Sequence, residues 1–515
     1  MIDPQLTTAL DLSLDDVALE VHRPDDVFGS PFRVTEAATA CAAAFVASVA
    51  DFEARRTRTW VRAVVDGLHA AVSFHSERLL TADRLPRELW APLSGNYRTA
   101  DGWVRIHANL DRHAAAARQV LGLAEDDADA ASVAVASRYS EELIEALRAA
   151  GGVGAVMRSR EDWLLHAHHG HLLERPVVGR TPVDDGAGRS VGRGGSHLDG
   201  VRVLDCTRVI AGPVAGRLLA SFGAEVVKID APLDDSPTLE LDTGWGKTRL
   251  PIDLRSNEDR AVFDDLVHRA DVLLDGFRPG VLADLGYSDQ QLRSLRPDLI
   301  VGHLSAFGAD GPLGGMRGFD SVVQVATGLA HTVGLDPDRG PGALPAQALD
   351  HGAGHVLAAG VVRGLRSRWE AGTIEAIDVS LARIGEWLVS LGTGTAAPAV
   401  DIESLSEPYL RTIHDETYGT VRHVSPVGQI ADRRATCPGT RSPRGSSRGP
   451  PARRACRKDG TATRRGRPCW PTRRRCGSWG TRPPRHGHAR RPRAARRGSR
   501  RPAGRRTTGR TRHRA

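Results

Sequence analysis

The hydrophobic pattern of the first 180 residues is mainly that of helices. Alanine-rich stretches, which favour helices, occupy positions 36–50, 112–122 and 129–150. Residues 96–107 instead alternate between apolar and polar positions around the turn dipeptide Asp101-Gly102. Because such alternation around Asp-Gly is typical of a hairpin, we expect two short antiparallel strands there. The N-terminal region is therefore predicted to be mostly helical, with one β interruption.

From residue 201 the pattern changes to short apolar runs that alternate with helical stretches. Residues 201–205 have the pattern of a buried strand, and Pro213 is placed to open a helix that Gly223 stops. Residues 225–230 follow as the next strand. Strands that alternate with helices are typical of an α/β domain with a parallel sheet, and we predict that fold class for this part of the chain.

Further strands are predicted to extend this sheet. They fall at residues 250–254, 272–275 and 299–305, and a helix is predicted at 257–269. Parallel sheets of this kind build their sites in the loops that follow the strands. The candidate site loops are therefore residues 209–213, 275–280 and 306–318.

An acidic residue at the end of the second strand raises the alternative of dinucleotide binding. Asp230 would then contact the ribose of NAD. That motif also needs the glycine pattern G-x-G-x-x-G in the first turn, whereas residues 211–213 contain one glycine before a proline. The sequence therefore disfavours NAD binding, while the strand–helix–strand fold stays the prediction.

The charge of the chain is distributed unevenly along its length. The 515 residues carry a net charge of +8. Residues 431–515 hold 28 Arg and one Lys against two acidic residues, which leaves 41 basic and 60 acidic residues in the rest. At roughly 150 residues per domain, the length corresponds to two to four domains. We therefore predict an acidic globular protein that carries a basic appendix.

The basic tail, residues 431–515, contains no Leu, Ile, Val, Phe, Met or Tyr and is therefore expected to be disordered. Its cysteines form no C-x-x-C pair, which disfavours a zinc site; they are Cys437, Cys456, Cys469 and Cys476. The tail has the composition of an Arg-rich nucleic-acid arm or an interaction tail. GC-rich coding DNA read out of register also yields mainly Arg, Pro, Gly, Ala and Thr, so we favour a frameshift product.

The location of the protein is predicted from the features that the sequence lacks. Cys41 and Cys206 are too few for a disulfide framework. The acidic N-terminus lacks the basic and apolar regions of a signal peptide. No apolar run approaches the ~18 residues of a membrane span. We therefore expect a soluble, cytoplasmic protein that contacts no membrane.

Several stretches between about 200 and 385 follow one another in the order found in a known family. They are VLDCTRVIAGPVAGRLLASFGAEVVKID, LPIDLRSNEDR, ADVLLDGFRPGVLADLGY, RPDLIVGHLSAFGADGPLGG, GFDSVVQVATGLAHTVG and LPAQALDHGAGHVLAAGVVRGLRSR. On these stretches the chain resembles the family III CoA-transferases of the CaiB/BaiF type. This group includes formyl-CoA and carnitine CoA-transferases and, as a racemase branch, α-methylacyl-CoA racemase.

The resemblance implies a Rossmann-like α/β domain with a parallel sheet, a smaller domain and an interlocked dimer. Stretches within 50–180, such as AAVSFHSERLL and GGVGAVMRSREDWLLH, resemble the C-terminal portion of family members. We therefore expect a fused or rearranged chain, with an N-terminal family-like region at 1–183, a linker at 184–200, the family III domain at 201–430 and the tail at 431–515. Such a chain is expected to form a homodimer or an intrachain pseudo-dimer in which residues 1–180 cover 200–385.

The resemblance implies that the chain transfers coenzyme A between carboxylic acids through a covalent aspartyl intermediate on Asp350. From the local sequence alone, Asp350 precedes an apolar helix predicted at about 354–368, where an aspartate also serves as an ordinary N-cap. Gly352 and Gly354 would let a thioester approach the backbone and would offer N–H groups to an oxyanion. The catalytic role of Asp350 therefore depends on the resemblance.

Acyl-CoA and an acceptor acid are the expected substrates, and no tightly bound cofactor is expected. The resemblance assigns contacts with CoA to Val209, Ile210, Ala211, Ile252, Arg255, Phe277, Arg278 and Arg317. Position 284, where relatives often carry an Arg that meets a phosphate, is Asp here. No metal site is predicted, because His351 and His355 have no carboxylate or thiol at ligand spacing.

Other functions stay open. The racemase branch needs a His in a Gly-His-Asp stretch, and the corresponding residue here is Phe319, which cannot carry a proton. This difference favours transfer over an acyl-CoA racemase or dehydratase-like activity. A catalytically inactive remnant and a nucleic-acid-binding protein that uses the basic tail are the remaining alternatives.

Overall fold

The computed structural model describes residues 2–85, 89–184, 197–230, 236–395 and 399–430, together with the backbone of 433–434. Apart from that backbone, the predicted tail lies outside the described residues. Residues 185–196 of the predicted linker also lie outside them. The predictions for these two segments therefore stay predictions.

The N-terminal part, residues 2–184, combines helices with short strands. In chain order its elements are α1 (Pro4–Ala9), β1 (Val17–His22), α2 (Val34–Thr57), β2 (Val61–Asp66), α3 (Gly67–Ser73), α4 (Ser76–Leu79), β3 (Thr81–Ala82), β4 (Gly95–Arg98), β5 (Trp103–Ile106), α5 (Asp111–Leu121), α6 (Ala128–Val135), α7 (Ser140–Ala149), β6 (Gly154–Val156), α8 (Arg160–Leu165), α9 (Ala167–Leu173) and β7 (Gly179–Asp184). The predicted hairpin is the β4–β5 pair, whose register places Tyr97 opposite Val104.

The second part, from residue 197 onward, begins with alternating strands and helices. Its elements are β8 (Arg202–Cys206), α10 (Ala211–Ser221), β9 (Glu225–Asp230), α11 (Pro237–Thr243), β10 (Lys247–Pro251), α12 (Asn257–Val267), β11 (Val272–Asp275), α13 (Val281–Asp284), α14 (Asp289–Leu295), β12 (Ile300–Ser305), α15 (Asp320–Ala326), α16 (Leu329–Val333), β13 (Leu335–Asp336), β14 (Gly340–Pro341), α17 (Ala348–Ala371), β15 (Ile374–Ser380), α18 (Leu381–Ser390), α19 (Ile402–Ser406), a 3-10 turn (Glu407–Tyr409), β16 (Leu410–Asp415), β17 (Gly419–Val424), β18 (Gln429–Ile430) and β19 (Arg433–Arg434).

A seven-stranded sheet forms the centre of the molecule, in the order β10-β9-β8-β11-β12-β15-β7. The first six strands are parallel to one another, which confirms the predicted α/β fold with a parallel sheet. The central strands β8 and β11 are almost entirely buried, as expected for strands that are covered on both faces, whereas the edge strand β10 is more exposed. The seventh strand, β7, comes from the N-terminal part and pairs antiparallel with β15.

The two parts of the chain share one hydrophobic core. Helix α2 of the N-terminal part packs along α17 of the second part, and α17 also packs on α10. Buried residues of one cluster come from both sides, among them Phe45 and Phe52 of α2 and Leu357 of α17. Two shorter sheets extend the connection, because β18 pairs with β2 and β17 pairs with β3.

Helix α2 departs from the expectation that no apolar segment reaches the length of a membrane span. Residues Val34–Thr57 are long and apolar enough to cross a membrane by length and composition alone. Within the protein, however, 94% of that apolar window is buried. The helix therefore occupies the position of a core helix, and its alanine content permits close packing on α17.

Helix α17 begins earlier than the sequence predicts. It starts at Ala348 rather than near 354, so Asp350 lies inside its first turn instead of ahead of it. Gly352 and Gly354 both lie within the helix, where the neighbouring elements leave little room for side chains. A Cβ on Gly354 would lie 2.5 Å from the carbonyl oxygen of Ala211 in α10.

Candidate functional site

Asp350 lies at the point where α17 meets the loop after β8. Its side chain is 7% exposed and lines a cavity that also contains Val209 and Ile210 from that loop. The family resemblance implied a catalytic role for Asp350 and CoA contacts for Val209 and Ile210, and these roles stay predictions. The predicted oxyanion role of Gly352 and Gly354 is not supported, because both residues lie within α17, where backbone N–H groups bond the preceding turn.

The start of α17 is capped by a carboxylate from another helix. The N-cap residue Gln347 makes no side-chain cap hydrogen bond. Instead, Oδ2 of Asp320 accepts hydrogen bonds from the backbone N–H groups of Leu349 at 2.8 Å and Asp350 at 3.0 Å. Gln324 donates to the other oxygen of Asp320 and accepts from the backbone of Leu344 at 2.8 Å. This network fixes the position of Asp350 relative to α15.

The electrostatic surroundings oppose the ionisation of Asp350. Burial raises its pKa well above the ordinary value, and the neighbouring charges of Asp320 and Glu77 raise it further. Burial also raises the pKa of Asp320, to about 6, although the hydrogen bonds that it accepts act in the opposite direction. A carboxyl group whose charge is this unfavourable is a candidate for a functional role.

Glu77 brings the N-terminal part of the chain into the site. It lies in α4, is 2% exposed, and its Oε2 lies 2.9 Å from Nε2 of His351, the residue after Asp350. Burial raises the pKa of Glu77, but the hydrogen bond and charge of His351 outweigh this and hold it below the ordinary value. Glu77 is therefore an ionised carboxylate at the edge of the cavity.

The cavity has a volume of about 40 Å³ and is partly open to solvent. Both parts of the chain contribute to its walls, which consist of Glu77, Arg78, Leu89, Trp90, His107, Asn109, Val209, Ile210, Leu239, Phe319, Asp320, Ser321, Gln347 and Asp350. Aromatic rings form one wall, where His107 stacks on Phe319 with ring centroids 3.8 Å apart. Burial lowers the pKa of His107 well below its ordinary value, so this ring is neutral.

The loop after β8 carries local backbone strain. Val209 has a φ of 69°, in the left-handed region that β-branched residues rarely occupy. It lies between the cavity at Asp350 and a second cavity of about 20 Å³ that Arg208, Lys228 and Arg249 help to line. Strain of this kind costs of order 1–3 kcal/mol and is concentrated at functional sites. Val209 therefore supports the prediction that this loop belongs to the site.

The remaining predicted CoA contacts lie outside the walls of the Asp350 cavity. Ala211 begins α10, and Ile252 is buried just after β10. The Arg255 side chain is 68% exposed and forms an ion pair with Asp253 at 2.8 Å. Phe277 is half-buried in the loop after β11. Contacts between these residues and CoA stay predictions.

Arg278 and Arg317 form an exposed pair of positive charges. Burial and the nearby charge of Arg278 lower the pKa of Arg317, which places the two guanidinium groups within electrostatic range. In the described part of the chain, neither guanidinium has an ion-pair partner. Two cations that repel each other favour the binding of an anion between them.

No functional role is predicted from the sequence for three residues of the cavity, Glu77, His107 and Asp320. Glu77 and His107 precede Asp350 by more than 240 residues, and only the tertiary fold brings them to the same cavity. Asp320 had a detectable local signal, because an acidic residue follows Gly318-Phe319 at the start of a predicted apolar segment. Among the described residues, no group of three or more His, Cys, Asp and Glu is arranged to hold a metal ion.

Part of this chain is similar to a known protein family. The model of the family described as CoA-transferase family III matches residues 198–401. A probable fatty acyl-CoA transferase of Mycobacterium tuberculosis is 37% identical over 199 residues, which is 36% of this chain and 50% of that protein. A succinyl-CoA–D-citramalate CoA-transferase of Chloroflexus aurantiacus is 34% identical over 201 residues, covering 36% and 49% of the two chains.

Two solved structures resemble part of this chain. A crystal structure of the same Mycobacterium tuberculosis protein is 35% identical in sequence, with a TM-score of 0.36, and the match covers 38% of this chain and 56% of that chain. A CaiB/BaiF family protein from Brucella suis is 24% identical, with a TM-score of 0.33 and coverages of 44% and 65%. The chain spans about half the length of the curated relatives that it matches.

Proposed function

We propose, from the premise that residues 198–401 form a CoA-transferase family III domain, that this protein transfers coenzyme A between two carboxylic acids. The observation that carries the proposal is the position of Asp350. It is a buried carboxyl group at the first turn of α17 that faces a cavity beside the strained loop residue Val209. We propose Asp350 as the nucleophile.

The proposed reaction proceeds through anhydride and thioester intermediates on Asp350. The Asp350 carboxylate attacks the acyl-CoA carbonyl, the C–S bond breaks, and a mixed anhydride and CoA thiolate form. The thiolate attacks the aspartyl carbonyl and releases the first acid as its carboxylate. The acceptor carboxylate attacks the resulting aspartyl thioester and expels the thiolate, which then attacks the new acyl group. The products are a new acyl-CoA and the free Asp350 carboxylate.

The surroundings of Asp350 support this role. A carboxylate that is stripped of water and placed beside Asp320 and Glu77 is less stabilised, and therefore more reactive, than one in solution. Asp320 holds the backbone of Asp350 in place through its two hydrogen bonds. Formation of the anhydride neutralises the Asp350 charge and relieves the repulsion. This relief favours the covalent intermediate over the free carboxylate.

The CoA moiety is proposed to bind along the loops at the carboxyl ends of the parallel strands. Val209 and Ile210 would contact the pantetheine arm where it enters the Asp350 cavity. Arg278 and Arg317 form the pair of cations that we propose for a CoA phosphate. Arg255 is a weaker candidate, because Asp253 already neutralises its charge.

The proposal is tested by trapping the intermediate. The purified protein is incubated with acetyl-CoA or butanoyl-CoA and then with hydroxylamine, and the peptide that contains Asp350 is examined by mass spectrometry. We expect an aspartyl hydroxamate at Asp350 and a loss of transfer of at least about a thousandfold in Asp350→Ala. The control Asp129→Asn changes an exposed aspartate of α6 and should react like the wild type. Full transfer activity in Asp350→Ala would refute the mechanism.

A second candidate function is exchange of the α-proton of an acyl-CoA. One observation favours it: His107 lies in the same cavity as Asp350 and stacks on Phe319, the residue at the position of the racemase histidine. The low pKa of His107 makes it a poor base, which favours transfer. Incorporation of deuterium at the α-carbon of butanoyl-CoA in D2O, without transfer to an acceptor acid, would support exchange instead.

A further inference from the structure

Three polar atoms in the Asp350 cavity lack hydrogen-bond partners. Within the described part of the chain, Oε1 of Glu77, Nδ1 of His107 and Oγ of Ser321 are buried and form no hydrogen bond. All three residues line the cavity, and the side chains of Glu77 and His107 belong to residues that are 2% and 5% exposed. Buried polar groups in folded proteins are nearly always paired, so such a group requires an explanation. A bound polar ligand provides one.

The chemistry of the three atoms restricts the ligand. The other oxygen of Glu77 is already engaged by His351, and Oε1 lies 3.8 Å from Nε of Arg78, beyond hydrogen-bond distance. Because a carboxylate only accepts hydrogen bonds, Oε1 can take a donor from a ligand. The Ser321 hydroxyl donates or accepts, and a neutral imidazole such as His107 offers one donor and one acceptor. A hydroxyl group on the ligand satisfies two of the three atoms, because it donates to Glu77 and accepts from Ser321.

Two other kinds of acyl group fit the cavity less well. A purely aliphatic chain would leave all three atoms without partners, which carries the full desolvation cost of each group. A second carboxylate on the acid would bring another negative charge beside Glu77, Asp320 and Asp350. The aromatic wall of Trp90, His107 and Phe319 suits a short carbon skeleton that packs on rings.

We propose that this cavity selects hydroxycarboxylic acids, with Glu77 and Ser321 as the residues that determine specificity by hydrogen bonding to the hydroxyl group of the acid. The proposal rests on the proposed function, since it concerns the acid that exchanges CoA at Asp350. The amide N–H of the pantetheine arm is a second group that could donate a hydrogen bond to Glu77. An experiment that varies only the acid separates the two sources.

The acceptor acids in the test are butyrate, 2-hydroxybutyrate, 3-hydroxybutyrate and succinate, with acetyl-CoA as the donor. We expect a kcat/KM for at least one hydroxybutyrate that is roughly tenfold or more above that for butyrate, since one hydrogen bond is worth about that factor. The preference should fall toward unity in Ser321→Ala and in Glu77→Gln. The control Ser294→Ala removes an exposed hydroxyl of α14 and should keep the wild-type ratio.

Equal use of butyrate and both hydroxybutyrates would overturn the proposal. It would also be overturned if the Ser321 and Glu77 variants lost activity by the same factor with every acid, since the donor would then belong to CoA. Thermal shifts with CoA plus each free acid distinguish a failure of the proposed function. Greater thermal stabilisation by a hydroxybutyrate than by butyrate, without turnover, would refute transfer and retain the hydroxyl subsite. Turnover of all acids without a preference for the hydroxybutyrates would retain transfer and refute the hydroxyl subsite.

Discussion

Asp350 is held where its own charge is unfavourable. Burial raises its pKa, and Asp320 and Glu77 add negative charge nearby. The unfolded chain ionises this group at the ordinary Asp pKa of about 3.9, whereas the native state resists the charge. The native protein therefore loses stability as the pH rises above that value. Such a cost is typical of active sites, where stability is exchanged for function.

The first prediction at this scale is that Asp350→Asn stabilises the protein while it abolishes transfer. Asn keeps the size of the side chain and removes the charge, so we expect a gain of about 0.5–2 kcal/mol in the free energy of unfolding at pH 7.5. Because the pKa in the native state is raised, the cost to the wild type begins above the unfolded pKa of about 3.9 and grows with pH. The gain should therefore shrink as the pH falls toward 4.

Urea unfolding at pH 7.5, 6.0 and 4.5 measures this effect. Asp129→Asn, on the surface of α6, serves as the matched control and should stay within ~0.5 kcal/mol of the wild type at each pH. An Asp350→Asn protein that is less stable than the wild type at pH 7.5 would show that the native state prefers the charged form.

The individual site residues differ in how far the sequence could reveal them. Asp350, Val209 and Ile210 were identified through the family resemblance, and the structure brings all three to one cavity. Glu77 could not be identified, because nothing in its local sequence distinguishes it from a surface glutamate of a short helix. Its burial and its contact with His351 depend on how α4 packs against α17, and the local sequence does not predict this packing.

At the scale of elements, the contact between α10 and α17 sets the geometry of the site. The first carries Ala211 beside the strained Val209, and the second carries Asp350. The two helices approach closely because Gly354 has no side chain, and an added Cβ would lie 2.5 Å from the Ala211 carbonyl oxygen and 2.9 Å from Val214. Neither backbone can move without displacing the site.

We therefore predict that Gly354→Ala destabilises the protein by about 1–3 kcal/mol, as expected when a close-packed core receives extra volume. Transfer activity should also fall, since α17 must shift away from the loop that carries Val209. The control is Gly170→Ala in α9, where an added Cβ meets nothing within 4 Å. Because Ala favours helix over Gly, that control should be neutral or stabilising by up to ~1 kcal/mol. Equal effects of the two substitutions would contradict the packing argument.

Several strands of the second part were predictable, because each contains a short apolar run. Strands β9 and β11 fall at the predicted residues, and β12 differs by one residue. Strand β10 lies at 247–251 rather than 250–254, since its polar residues Lys247 and Arg249 form ion pairs and conceal the strand pattern. The role of β7 as the seventh strand was not predictable, because its partner β15 lies almost 200 residues away in the sequence.

At the scale of the whole molecule, the N-terminal part packs over residues 198–401, the region that the family model matches. It supplies β7 to the main sheet, α2 to the core and Glu77 to the cavity. These contacts support the proposal of an intrachain pseudo-dimer, in which one chain provides both sides of its site. Whether two chains also associate stays a prediction that light scattering at several concentrations would test.

A buried group of hydrogen bonds joins the two parts away from the cavity. Glu386 of α18 accepts two hydrogen bonds from the guanidinium of Arg160, at 2.8 and 3.0 Å, and one from the Trp163 indole at 2.8 Å. Although burial raises the pKa of Glu386, the hydrogen bond and charge of Arg160 hold it below the ordinary value. Its contribution to stability is therefore present at neutral pH and is lost as the pH falls through the native-state pKa.

Glu386→Ala is predicted to lower the free energy of unfolding of the whole protein by about 3–5 kcal/mol, because Arg160 and Trp163 would stay buried without their partner. Since the two parts share a sheet and a core, the variant should still unfold in a single transition by circular dichroism. The control Glu145→Ala, on the exposed face of α7, should change stability by less than ~0.5 kcal/mol. Two separate transitions, with only one shifted by Glu386→Ala, would mean that the N-terminal part folds as an independent domain, and that the site at Asp350 is assembled by docking rather than by one cooperative core.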